Sequence, residues 1–88
     1  MKQIVDNEVI FMTLSNSNVG TLYTVEDMNL RNDIKRHLEA MGMILHTTIE
    51  VLNKKKNGSI IFKVRGTRLA IGKNIAQNIT VKEKTTNE

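Results

Sequence analysis

Three observations predict a mainly β fold, a small barrel of about five short strands with one inserted helix at roughly residues 32–42. Apolar residues alternate with polar ones through the second half of the chain, glycines stand at the breaks between runs, and one segment carries a helical period. Ile60, Phe62 and Val64 alternate with Ile61, Lys63 and Arg65, the period of a half-buried strand. Gly66 interrupts them and supplies the unrestricted backbone that a sharp turn needs. Arg68-Leu69-Ala70-Ile71 resumes as a strand, Gly72 ends it, and a short turn over 73–78 leads into a last strand at Ile79-Thr80-Val81.

The earlier elements follow from the same rules. Residues 1–11 have no firm period and are expected to form a partly ordered extension or a short edge strand. Met12-Thr13-Leu14-Ser15 opens the domain, Gly20 marks a turn, and Leu22 to Val25 starts the first long strand. Asn29 or Asn32 is expected to cap the helix, with Asp33 adding favourable charge in its first turn. Ile34, Leu38 and Met41 recur at i, i+4 and i+7, so all three should bury. Gly42 is placed to terminate the helix. Residues 47–52 form the next strand, with Ile49 and Val51 on one face, and Asn57-Gly58 turns the hairpin that follows. The polar end from Lys82 onward is expected to fray, with the domain ending at residue 83 and a tail over 84–88.

The order Arg65-Gly66, Leu69-Ala70-Ile71, a short turn and Ile79-x-Val81 resembles the C-terminal half of the ferrous iron transport protein FeoA family. Upstream, residues 34–43 resemble that family's helix, which ends in a hydrophobic-Gly-hydrophobic triplet, here Met41-Gly42-Met43. The resemblance covers residues 12–83 and implies an SH3-like barrel. Three places depart from the family pattern. Ser17 stands where a second apolar residue is usual, which leaves the first turn less firmly anchored. Leu45-His46 replaces a Pro-Gly turn, and the 53–59 loop lacks the family's longer apolar, proline-containing form.

Composition excludes several function classes. The chain of 88 residues makes one domain, and it holds no cysteine, so disulfides and thiolate metal sites are out. The N-terminus lacks a signal peptide's apolar run, no stretch approaches a membrane span, and no membrane insertion is expected. No Gly-x-Ser-x-Gly elbow surrounds Ser15, Ser17 or Ser59, and Gly72-Lys73-Asn74 lacks the hydroxyl of a phosphate loop. The sequence therefore reads as non-enzymatic. Phe11, Tyr23 and Phe62 are the only aromatic residues, too few for a proline-binding groove or for base stacking.

The formal net charge of +4 favours acidic partners. Lys54, Lys55, Lys56, Lys63, Arg65 and Arg68 are expected to form one basic patch. Together with Arg36 and His37 on the helix, Lys54–Lys56, Arg65 and Arg68 are the candidate partner-contact residues. For metal, only His37 and His46 offer imidazoles; Asp33 lies four residues before His37, on the same helix face. Any transition-metal binding here would be weak, and no cofactor is expected. The resemblance implies a non-catalytic, cytoplasmic module that contacts the GTPase part of the membrane permease FeoB. Through that partner it would sit at the inner face of the plasma membrane. The alternatives are a basic nucleic-acid-binding or repressor-associated barrel and a small metal-binding protein. Exposed edges in so small a barrel also favour a homo-oligomer.

Overall fold

The computed structural model describes residues 10–84. Six antiparallel strands form one curled sheet: β1 (Phe11–Thr13), β2 (Leu22–Met28), β3 (Thr48–Lys54), β4 (Ile60–Val64), β5 (Thr67–Ile71) and β6 (Ile79–Glu83). Their spatial order is β1-β6-β2-β3-β4-β5. Helix α1 (Asn32–Ala40) is inserted between β2 and β3, and a single helical turn, α2 (Lys73–Ala76), joins β5 to β6. This is the small SH3-like architecture expected from the sequence. Residues 1–9 and 85–88, the bulk of the expected extension and tail, lie outside the described residues.

Alternation decides what is inside. Tyr23 and Val25, Ile49 and Val51, Ile60, Phe62 and Val64, and Ile79 and Val81 all point into one buried core. Register shifts at Val25/Asp27 in β2 and at Val51/Asn53 in β3 bend the sheet around that core. Of the three aromatic side chains, Tyr23 and Phe62 are fully buried, whereas Phe11 stands exposed on edge strand β1.

Several expectations are corrected. Neither Asn29 nor Asn32 caps α1: Arg31 occupies the N-cap position without a side-chain cap bond. Asp33 instead accepts the Ile34 N–H on its own carboxylate and pairs with Arg31. Met41 does not bury, because the helix ends at Ala40 and the chain turns before Met41 can face the core. Gly42, at φ 103°, donates its N–H to Glu39, and the Met43 N–H donates to Leu38. Those two bonds make a Schellman motif, which swings Met43 onto Leu38 in the core in place of Met41. Lys82 and Glu83 do not fray but pair with Phe11 and Tyr23, and the Lys84 N–H donates to Leu22.

The first turn is better anchored than its sequence suggests. Ser17 is fully buried, and its hydroxyl donates to the Leu14 carbonyl at 2.6 Å. The polar group is satisfied locally, so burial costs little. From outside, the Lys54 ammonium donates to the Ser17 carbonyl at 2.7 Å, and the Asn18 N–H donates to the Tyr23 hydroxyl.

Candidate partner-contact surface

The nine sequence-nominated residues do not gather in one place. At one end of the sheet, the β3–β4 hairpin closes through Lys55 N–H to Ser59 and Gly58 N–H to Lys55. Gly58 lies so close over the Lys73 stem that a Cβ there would meet it at 2.8 Å. This gathers Lys55 and Lys56 near Lys73, a cation the sequence reading left out. Lys54 is directed away, onto the Ser17 carbonyl.

The β4–β5 turn lies at the other end, roughly 13 Å along β4. Arg65 sits in that turn at φ 51°, with its stem packed over Gly42 at the end of α1. Between the two ends, Lys63 stands directly opposite Arg68 on β5 and opposite Glu50 on β3. The expected single basic patch is thus drawn out along the outer face of β4 and β5, with Lys54 removed from it.

Helix α1 supplies the third place. Arg36 and His37 are both exposed. His37 lines a groove of about 320 Å³ with Asp33, Ile34, Leu38, Ala70, Ile71, Gly72 and Ile75. Asp33 and His37 share this groove, as their four-residue spacing predicts. Arg31 forms a two-pronged contact with Asp33, 2.7 and 3.2 Å, and chiefly this bond holds the Asp33 carboxyl below the usual carboxylate range. At the rim of the groove Asp33 is thus a carboxylate whose charge is matched by Arg31.

His46 is elsewhere. It occupies the turn that links α1 to β3 at φ 72°, the left-handed conformation that a glycine takes without strain, and its N–H donates to the Val25 carbonyl. The Gly of the family's Pro-Gly turn falls at this position, so main-chain bonds hold the turn that proline would have stiffened. Replacing His46 by Gly is expected to leave stability unchanged or slightly raised. His46→Val should lose about 1 kcal/mol, because a β-branched residue tolerates that conformation least. Thermal unfolding of the two variants checks this.

The His46 ring lies 3.7 Å from Glu26, a largely buried carboxylate that also accepts the Thr24 hydroxyl at 2.8 Å and lies 4.0 Å from the Lys82 ammonium. Sequence reasoning missed this network, since nothing in the local pattern sets Glu26 apart from the other charged residues. Its extra residue in β2 comes from the register shift there, which no local pattern announces. His37 and His46 thus keep different company, one in the α1 groove and one against Glu26. Among the described residues no three His, Asp or Glu side chains gather as metal ligands would. No helix among the described residues is long and apolar enough to cross a membrane.

A family model described as the FeoA domain matches residues 12–83, most of the chain. The chain belongs to the FeoA family. Its membership supports a role in ferrous iron transport. Among solved structures, an iron uptake regulatory protein, FeoA, is similar at 31% identity and a TM-score of 0.77, over 85% of this chain and 100% of that one. The FeoA protein of Chlorobium tepidum superposes with a TM-score of 0.80 at 26% identity, over 88% of this chain and 74% of that one. A manganese-dependent transcriptional repressor matches at 20% identity and a TM-score of 0.78, over 88% of this FeoA chain but 44% of the repressor. That last likeness is one of fold. No curated protein sequence matches the chain.

Proposed function

We propose that this FeoA-family chain is a non-catalytic accessory module of ferrous iron uptake that works by contact with the cytosolic GTPase part of a FeoB-type permease. Family membership over residues 12–83 carries the reading. The exposed cations give it a surface to work with: Lys55, Lys56 and Lys73 at one end of the sheet, Lys63 and Arg68 along its outer face. A module of this kind acts only if it binds two states of its partner with different affinity. Nucleotide-dependent binding is therefore the signature to look for.

The test is titration of the protein against the soluble GTPase part of a cognate permease, in each nucleotide state and at two salt concentrations. Binding that differs between states supports the reading, and absence of binding in every state sinks it. Within that assay, Lys55→Glu with Lys56→Glu is expected to weaken binding about tenfold at low salt, chiefly through slower association. Lys54 is left intact because its ammonium holds the first turn. Unchanged affinity in the double variant would remove the hairpin tip from the contact surface.

A further inference from the structure

Strand β5 ends the sheet order, with β4 on one side and no strand on the other. Val64 and Thr67 close the two-residue Arg65-Gly66 turn, whose φ angles are 51° and 82°. A closing pair of that kind exchanges both of its main-chain hydrogen bonds. Alternation then turns the main-chain groups of Thr67, Leu69 and Ile71 towards β4, and those of Arg68 and Ala70 away from it. Among the described residues, no main-chain bond beyond the sheet ladder engages Arg68 or Ala70. The edge is a row of ready donors and acceptors.

Two other features lie along the same edge. The groove beside α1 has Ala70 and Ile71 of β5, with Gly72 just beyond them, as one wall and Ile34 and Leu38 of α1 as another. On the outer face, Lys63 and Arg68 stand directly opposite one another, both exposed. Neither takes part in an ion pair among the described residues. Like charges in that register repel; Glu50 faces Lys63 from β3, whereas Arg68 has no strand on its outer side, and an acid in the next strand position would face it there.

We propose that the β5 edge accepts an extended acidic segment of a protein partner as an added strand. The residue opposite Arg68 would share its face, so a carboxylate there meets both cations. The next residue along would point to the opposite face, where the groove takes an apolar side chain. Main-chain bonds to Arg68 and Ala70 give affinity, and the alternation of acid and apolar residue gives specificity. A nucleic acid offers no such main-chain ladder. A second copy of this chain, paired through its own β5, would bring two Arg68 and two Lys63 together across the seam, so it fits poorly. The proposal rests on reading the chain as a protein-contact module, and it is tested without the permease.

The experiment is amide NMR of the full 88-residue chain, titrated with a synthetic eight-residue peptide alternating glutamate and valine. A lysine–valine peptide serves as the control. The glutamate peptide is expected to shift the Arg68 and Ala70 amides and to slow their hydrogen exchange about tenfold. The lysine peptide should bind at least about tenfold more weakly, and Arg68→Glu should reverse that preference. Ala70→Pro removes an outward N–H without breaking the β4–β5 ladder, and should abolish binding; if it unfolds the chain, the exposed Arg68→Glu variant still decides.

Equal binding of the two peptides, shifts confined to the hairpin tip, or no shift at millimolar peptide would overturn the proposal. Self-association through β5 in the absence of peptide would do the same. Peptide capture at β5 with no binding of the GTPase fragment would count against the permease reading alone. Fragment binding that leaves β5 untouched, with no peptide capture, would refute the edge proposal alone.

Discussion

Phe62→Ala is expected to lower the unfolding free energy by about 3–5 kcal/mol. Phe62 is fully buried at the middle of β4, paired with Val51 on one side and Leu69 on the other. Its neighbours are held by two hydrogen-bonded ladders, so they cannot collapse into the space that the ring vacates. A chain of this length has a total stability of roughly 4–13 kcal/mol, so the substitution removes a large share of it. With a urea slope of about 1 kcal/mol/M, the unfolding midpoint should fall by about 3 M or more, and the weakest case is a chain unfolded in water. A loss below about 1 kcal/mol would mean that the ring does not occupy the centre of the core. The contrast variant is Phe11→Ala, at an exposed edge position, where the change should stay within about 0.5 kcal/mol.

That contrast also marks what the sequence made legible. Period-2 alternation is a statement about burial, and so the inward faces of β3, β4 and β6 follow from residues 49–51, 60–64 and 79–81 directly. The helix was legible for a similar reason, since Ile34 and Leu38 repeat at its period. Its end was less so. A strict period carries Met41 into the core, but the Schellman turn at Gly42 overrides the period and substitutes Met43. Long-range partners were the least legible. Nothing local says that the Lys54 ammonium reaches back to the Ser17 carbonyl, that Glu26 faces His46 and Lys82, or that Lys82 and Glu83 find strand partners in β1 and β2. The candidate contact residues are all exposed, but their grouping depends on register. Register is what separates Lys55 and Lys56 from Arg65, and sets Lys63 against Arg68.

Gly42→Ala is expected to cost about 1–3 kcal/mol, the second largest effect. Two separable causes act at this position. Gly42 holds φ 103°, where any side chain is strained, and it does so because the helix must end there for Met43 to reach Leu38. An added Cβ would also meet the Arg65 Cδ at 2.9 Å. The second cause is the cheaper one, since a long side chain can move aside. Removing the stem beyond its Cβ isolates it: in an Arg65→Ala background the closest remaining approach is 3.7 Å, so only the backbone strain should persist. A double-mutant cycle by urea unfolding is therefore expected to give a coupling of about 0.5–1 kcal/mol between the two positions. No coupling would mean that Arg65 merely lies over Gly42 without constraint. Full coupling, with Gly42→Ala neutral once Arg65 is truncated, would mean that the left-handed turn itself carries no strain. The cycle also bears on function, because Arg65 is the one candidate contact residue whose position is fixed by the end of the helix. Loosening Gly42 should release Arg65 and leave Lys55, Lys56 and Lys73, at the far end of β4, where they are.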